Sequence, residues 1–318
     1  MARSLVCAGM LLVGASALTA QQSSVAVLAL PGSARAAGGG DAAVFATDAS
    51  SLFYDLQRLP SERSFGLSAG TWIGDVQLAS LAFSTPITWR AWSRPVLAVG
   101  VQSLDYGSAD EYVPDPLTGG TRGTATGGRV SGNEIAASVG LLQDYGRART
   151  GFAATYVRQT LAGLGASALV MTASQSILVG DWDLNFSVEH TGNSARNPSK
   201  RTLQAPTTTR IGVRTPALSL IGAAWSGVAE YRRATTLGTT KLAGVEGAWR
   251  TSHGWGLVLR GAALSYSDET ARAKWSAGGS AERGAWSLDY AYQGYGALGA
   301  VHRMGVSWRS GGARSPSR

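Results

Sequence analysis

Trp182-Asp183-Leu184-Asn185-Phe186-Ser187-Val188-Glu189 carries an apolar residue at every even position and a polar one at every odd position. Successive side chains of a strand point to opposite faces, so this run has one apolar and one polar face. The apolar face requires an apolar medium, either a protein core or lipid. Trp286-Ser287-Leu288-Asp289-Tyr290-Ala291-Tyr292 repeats the pattern. So do Trp255, Leu257 and Leu259 against Gly256, Val258 and Arg260, and His302, Met304, Val306 and Trp308 against Arg303, Gly305, Ser307 and Arg309.

Working outward, the rhythm predicts fourteen strands, near 64–73, 75–86, 94–104, 133–143, 148–159, 166–177, 181–190, 207–215, 218–231, 239–250, 254–266, 272–282, 285–293 and 299–309. Parity blurs in 166–177 and 218–231, and a count of twelve stays open. Most segments are near the ~9–11 residues that a tilted strand needs to cross a bilayer. Two long polar connections, Asp105–Gly132 and Thr191–Pro206, alternate with tight turns, as on the two sides of a membrane barrel. Gln159–Gly180 is uncharged but too rich in Gly, Ser and Thr for a membrane helix. In hydrocarbon only helices and closed barrels satisfy their backbone groups, so lipid-facing strands imply a transmembrane antiparallel β-barrel.

Arg3, the apolar run Leu5–Val13 and the small residues Ala15-Ser16-Ala17 or Ala20-Gln21 form a secretory signal peptide over 1–20. Cys7, the single cysteine, lies inside it, so the exported chain has no disulfide. Charged residues are 15% of the chain, against roughly 25% in soluble proteins. Gly at 42 and Trp and Tyr at 10 each suit lipid-facing strands with aromatic ends. Trp72, Tyr106, Tyr145, Trp182, Tyr231, Trp249, Trp255 and Trp308 read as such interfacial belts. The formal charge of +8 is scattered, which argues against a nucleic-acid partner and for arginines in a wet lumen or at lipid phosphates.

Motifs with a chemical look have plainer readings. Gly66-Leu67-Ser68-Ala69-Gly70 matches a nucleophile elbow, but Thr71-Trp72-Ile73 continues as strand where a helix is required. Gly294-Tyr295-Gly296-Ala297-Leu298-Gly299 matches a dinucleotide loop, yet a hairpin turn explains it without the missing helix. His190, His253 and His302 lack metal-ligand spacing, and Asp105, Asp110, Glu111 and Asp115 do not form a calcium loop. No catalytic set, metal or cofactor is implied.

Residues 29–59 contain Leu30-Pro31, Ser33-Ala34-Arg35, Gly38-Gly39-Gly40, Asp48-Ala49-Ser50 and Phe53-Tyr54. This order resembles the start of the PorV/PorQ family, relatives of the FadL-type outer-membrane channels. Asp55-Leu56-Gln57-Arg58-Leu59 stands where that family usually has Asn-Pro-Ala-x-Leu. The closing segments Leu288–Tyr292 and Leu298–Arg303 are similar as well, and Arg303, Gly305 and Trp308 match the C-terminal signal read by the outer-membrane assembly machinery.

The resemblance implies an all-β, fourteen-stranded barrel in the bacterial outer membrane, spanning 63–310. An N-terminal segment, 21–62, folds into its lumen as a plug, and a polar tail occupies 311–318. Plug residues are Leu30, Pro31, Ala34, Arg35, Gly38, Gly39, Gly40, Asp48, Ala49, Phe53 and Tyr54. Asp183, Asn185, Glu189, Arg260, Asp289 and Arg303 are expected to face the lumen. Implied partners are outer-membrane lipids and lipopolysaccharide, the assembly machinery, and either type IX secretion components with their cargo or hydrophobic small molecules. The function the resemblance implies first is a PorV/PorQ-type role in type IX protein secretion or cell-surface cargo handling; the alternatives are a FadL-like channel for hydrophobic small molecules and a soluble secreted β-sandwich binding module. On this reading Leu184→Arg or Phe186→Arg is costly, while Asn185→Arg, pointing into a wet lumen, is tolerated.

Overall fold

The computed structural model describes residues 25–42, 47–88, 95–114, 123–193, 195–196, 202–203, 205–235, 238–267 and 273–311. The signal peptide, Asp115 and residues 312–318 of the tail lie outside the described residues. Seven strands follow in order: β1 (Ser64–Thr71), β2 (Gln77–Pro86), β3 (Val96–Pro114), β4 (Gly123–Asp144), β5 (Ala148–Leu161), β6 (Leu164–Val179) and β7 (Trp182–Asn193). A short pair, β8 (Ala195–Arg196) and β9 (Thr202–Leu203), sits in the connection to β10 (Thr208–Arg214) and β11 (Leu218–Leu220). The chain then forms β12 (Ala223–Ala234), β13 (Gly238–Arg250), β14 (Trp255–Tyr266), β15 (Trp275–Arg283), β16 (Trp286–Gly294) and β17 (Ala300–Arg309).

Neighbouring wall strands pair antiparallel throughout, β10 joins β7 to β12, and β17 returns to β1, so the sheet is closed. Pro216, which has no N–H to give a ladder, separates β10 from β11. The pairing with β12 shifts there from Arg214↔Val228 to Leu218↔Trp225. Thr215 bridges the break, donating its N–H to Gly227 O while its Oγ1 accepts from Gly227 N. Counting β10 and β11 as one interrupted strand gives a fourteen-stranded antiparallel barrel.

The alternation is inverted relative to a soluble protein. Leu184 is 43% exposed on the outer surface, whereas Asn185, one residue on, is 4% exposed inside. Leu67, Leu81, Val99, Val139, Phe152, Leu259, Leu288 and Met304 continue the outer apolar band around the wall. Tight turns at 145–147, 180–181 and 284–285 mark one end of the barrel, here the turn end. Gly180 and Gly284 take the positive φ (60° and 58°) that such turns need. The long β3–β4 and β7–β10 connections mark the opposite, loop end.

Two expectations change. Asp105–Gly132 is not an irregular loop: β3 and β4 keep pairing past the rim, through Ser108↔Ser131 to Pro114↔Gly123, with irregularities after Asp105 and Asp110. Both faces of that hairpin are solvent-exposed, so nothing selects an apolar side and the period-two signal disappears. Trp72 and Tyr106 do not face outward as belt residues; both pack inward on the cluster around Val25 and Val27. Trp182, Trp255, Tyr231 and Tyr145 are exposed.

Residues 25–42 lie in the lumen toward the loop end and 47–62 toward the turn end. Val25, Val27 and Leu28 bury against Leu78, Leu104, Val157 and Val170. The short helix α1 (Ala34–Gly38) rests on β15, β16 and β17. It is capped by Ser33, whose Oγ accepts from Ala36 N. Two 3-10 turns, Ala49–Phe53 and Leu56–Arg58, bury Leu52, Phe53 and Leu56 against Ala82, Ala98, Leu142 and Ala153. Inward-facing wall glycines make the seat. A Cβ at Gly140 would lie 2.6 Å from Leu52 and Leu56, and one at Gly278 only 2.7 Å from the Cα of Gly38.

Gly278→Val is therefore expected to unseat α1 at a cost of about 1–3 kcal/mol, the new Cβ meeting Gly38 and, 2.9 Å away, the carbonyl of Tyr290 in the adjoining strand. Limited proteolysis checks this: cleavage by trypsin after Arg35, buried in the native chain, should become fast while the barrel core remains resistant.

Candidate functional site

A plug with so little regular structure carries many backbone N–H and C=O groups that water cannot reach, and each needs a partner. The wall supplies them from inward-facing side chains. Ala34 N donates to Ser68 Oγ at 3.0 Å, and Ser68 donates onward to Met304 O at 3.0 Å. Ala49 N donates to Ser64 Oγ, Ser80 Oγ to Gly32 O, and Ser276 Oγ to Gly38 O. Val27 N donates to Glu134 Oε2 at 2.7 Å, and the other oxygen of that carboxylate accepts from Tyr106 OH and Gln159 Nε2. Arg149 donates to Gln57 O and Leu59 O, and Arg303 to Pro31 O.

Three groups of ion pairs fix the plug electrostatically. Under α1, Arg35 donates to Glu282 at 2.9 Å, to Asp289 at 3.1 Å and to Ser287 Oγ at 2.8 Å. Beside it Arg260 pairs with Glu246 at 2.9 Å and bonds Ser280. After α1 the chain turns with Gly40 and Asp41 both at positive φ (70° and 61°), which aims their carbonyls at two arginines. Arg210 reaches Asp41 O and Arg232 reaches Gly40 O and Asp41 O, while both guanidinium groups hold Asp41 Oδ2, at 3.2 and 3.3 Å. Glu189 and Glu230 complete that cluster. At the turn end Arg58 pairs with Asp183 at 2.7 Å and lies 3.7 Å from Asp55, whose carboxyl burial pushes well above the usual range, Arg58 opposing.

Among the described residues, one cavity lies at each end of the plug. The one at the loop end, about 330 Å³, is lined by apolar residues that include Leu28, Leu30, Trp72 and Leu264 and by the charged Asp41, Glu189, Arg210 and Arg232. The turn-end cavity, about 760 Å³, is lined by both signs of charge, among them Arg58, Arg149, Arg214, Asp183 and Glu246. The first is the better candidate for a ligand, since it joins an apolar wall to a few convergent polar groups.

All six residues expected to face the lumen point inward, but the lumen is not wet around them. Asn185, Glu189, Arg260, Asp289 and Arg303 are buried under the plug, and Asp183 alone is half-buried at the turn-end cavity. Each named plug residue within the described chain is buried except Leu30, which lines the loop-end cavity. Of the assembly signal, Arg303 and Gly305 face inward, where Gly305 lies against Ala34, and Trp308 faces outward. Ser68 is no nucleophile-elbow serine: it lies mid-strand in β1 with its hydroxyl engaged by plug and wall. His190 sits where β7 carries an extra residue opposite β6, while His253 lies in the β13–β14 turn and His302 in β17. Among the described residues no group of three potential metal ligands occurs.

Sequence reasoning missed Asp41, Arg210, Arg232 and Glu134. Arg210 and Glu134 did stand at inward positions of alternating strands, which was the available signal. The plug partners of Glu134, Arg210 and Arg232 are 107 to 192 residues away in sequence, beyond the reach of any local pattern.

The packed lumen changes one expectation: Asn185→Arg is not tolerated, because a Cβ on the facing Gly212 would already lie 2.6 Å from the Asn185 side chain. Removing Arg35 is harsher. Arg35→Met leaves Glu282 and Asp289 buried without their cation, a change worth about 3–5 kcal/mol. Denaturant titration of trypsin protection at Arg58, the plug arginine that remains, should show that loss, and a triple variant that also replaces Glu282 and Asp289 by Gln and Asn should recover part of it.

No protein-family model and no curated protein matches this sequence. Solved structures do. The toluene transporter TodX of Pseudomonas putida superposes with a TM-score of 0.55 at 9% identity, covering 92% of this chain and 99% of that one. The toluene transporter TbuX of Ralstonia pickettii gives 0.55 at 10% identity, over 87% and 98% of the two chains. A FadL homologue of Pseudomonas aeruginosa gives 0.54 at 10%, again over 87% and 98%. Identity this low speaks for the fold alone: the chain has the closed antiparallel barrel fold of these FadL-type channels.

Proposed function

We propose that this chain is a non-enzymatic channel of the bacterial outer membrane that admits small hydrophobic molecules at its loop end, with residues 25–62 as its plug. The observation that carries the reading is the inverted barrel: an apolar outer band, a polar interior, and an apolar-walled cavity of about 330 Å³ above the plug. A wall with leucine, valine and phenylalanine outside fits lipid, with the tight turns toward the periplasm and the long connections toward lipopolysaccharide. Toluene transport is stated for two of the structures it resembles, and the same class of ligand suits the apolar side of the cavity. The signal peptide and the Arg303, Gly305 and Trp308 signal on the last strand support export followed by machinery-assisted insertion.

A second reading keeps the barrel and gives it a PorV/PorQ-type role in type IX secretion, handling secreted cargo at the cell surface. The order of residues 29–59 and of the closing segments favours it. The two readings separate on deletion of the gene. Loss of toluene or fatty-acid uptake with surface proteins unchanged supports the channel, and loss of cargo from the surface, with type IX components co-purifying, supports secretion.

Two outcomes are expected of the channel. The protein should fractionate with membranes and migrate differently on a gel before and after boiling; a chain that stays soluble without detergent would remove the membrane reading. Leu184→Arg should cost about 2–4 kcal/mol if that position lies near mid-bilayer, read as a lower denaturant midpoint in vesicles.

A further inference from the structure

Resting on the reading that the loop end faces the cell exterior, we infer that the outer wall of β12–β17 carries at that end a docking site for the phosphorylated diglucosamine headgroup of lipopolysaccharide. The site follows from where these strands place their charges and aromatic rings.

β12–β17 hold four carboxylates, and all four point inward. Glu230 pairs with Arg210 and Arg232, Glu246 with Arg260, and Glu282 and Asp289 with Arg35. The charged residues on the outer face of the same strands are cations. Arg283 lies near the turn end, 5.0 Å over the Trp255 ring. Arg233 and Lys241 lie near the loop end, and both are exposed. Among the described residues neither of these two has an ion-pair partner. Lys241 pairs with Tyr231 and Arg233 with Thr239, so the two cations are diagonal neighbours on the outer face. At about 7–8 Å between Cβ atoms, two long side chains can converge on one phosphate. The arginine fork grips two oxygens and the lysine adds a point charge.

Further round the wall the outer face turns aromatic. Trp275 in β15 lies 4.9 Å from Tyr292 in β16, whose ring meets His302 in β17 edge-on at 5.3 Å. Tyr290 OH holds His302 Nδ1 at 2.7 Å, which leaves Nε2 for a ligand. Trp275 is 49% exposed. Between cations and rings, β14 presents only Ser265, opposite Lys241, and Ala263, opposite Trp275, a floor without bulk. Two strand spacings, about 10 Å, separate Lys241 from Trp275, a span that suits a disaccharide. Arg233, Lys241, Trp275, Tyr292 and His302 all lie within three residues of the loop end of their strands.

The combination is what selects the occupant. The C–H groups on a sugar face meet the electron-rich faces of aromatic rings, and phosphates carried on the sugar meet the cations. A phospholipid headgroup offers the phosphate without the rings. Elsewhere on the wall below the rim, the outward charges near this end among the described residues are Asp105 in β3 and Arg158 in β5, of opposite sign and on different strands.

The test uses the full exported chain refolded in detergent micelles, so that it brings no lipopolysaccharide with it. Diphosphoryl lipid A, dephosphorylated lipid A and phosphatidylglycerol are titrated separately, and bound lipid is counted by native mass spectrometry. Diphosphoryl lipid A is expected to bind tightest. Arg233→Ala combined with Lys241→Ala should weaken it about 25-fold, at about fivefold for each cation near an anionic lipid. Arg158→Ala, which removes the outward cation of β5, should leave it unchanged. Trp275→Leu should weaken diphosphoryl lipid A and not phosphatidylglycerol. Heat-modifiable migration on a gel reports in each variant that the barrel is closed. Equal binding of the three lipids, or a closed double variant that binds lipid A like the native chain, would overturn the inference. The orientation on which it rests is tested apart. Ala125→Cys, on the exposed β3–β4 hairpin, should react with a membrane-impermeant maleimide on intact cells, against the native chain as background. Labelling there without lipid A binding sinks the inference alone, whereas labelling only after lysis sinks the reading of the loop end and the inference with it.

Discussion

Backbone polar groups inside a closed barrel must find partners, and this constraint organises the interior. The wall satisfies its own groups in the inter-strand ladder. The plug, with one short helix and two 3-10 turns, cannot. Its N–H and C=O groups are met by Ser64, Ser68, Ser80, Ser276, Glu134, Arg149 and Arg303, all projecting from inward positions of the strands. The polar face of each strand is thus a set of hydrogen-bonding arms spaced to a particular irregular chain rather than a lining for solvent. Glycines between those arms let the plug approach, which is why Gly140 and Gly278 have no room for a side chain.

Charge follows the same logic. A lone guanidinium in this interior would carry a large desolvation penalty, and Arg35 and Arg210 avoid it by each gathering two or more carboxylates. Such clusters contribute less to net stability than to the choice of one seated arrangement, because a plug shifted by one residue would strand several charges at once. They also shape what remains open. The loop-end cavity borders the Asp41 cluster, and the turn-end cavity the Arg58 pairs, so both are lined by charges of both signs.

The strands were legible because every wall strand has one face against an apolar medium, which imposes a strict period of two on residues such as Trp182–Glu189. Legibility failed where that asymmetry ends. The β3–β4 hairpin beyond the rim is exposed on both faces, so Asp105–Gly132 reads as a loop. Trp72 and Tyr106 sit near strand ends like belt aromatics, and only the position of Val25–Leu28 in three dimensions turns them inward. In the candidate site, inward residues such as Glu189, Asp289 and Arg303 could be read from parity, but their partners could not. Asp41 gains its role from a left-handed backbone and from two arginines more than 160 residues away. The Gly-x-Ser-x-Gly around Ser68 shows the converse: Gly66 and Ser68 serve close packing of the plug, and Gly70 the close approach of β17 at His302 and Arg303.

Ser68 has a topological consequence. Its hydroxyl takes the N–H of Ala34 in the plug and gives its own proton to Met304 O, while its backbone lies in β1 opposite Gly305 of β17. One side chain therefore ties together the first strand, the last strand and the segment inside them. The seam where the cylinder closes is also the sector on which α1 rests. Zipping that seam and docking the inner segment complete each other's hydrogen bonds, so the last step of making the wall is also the step that fills it.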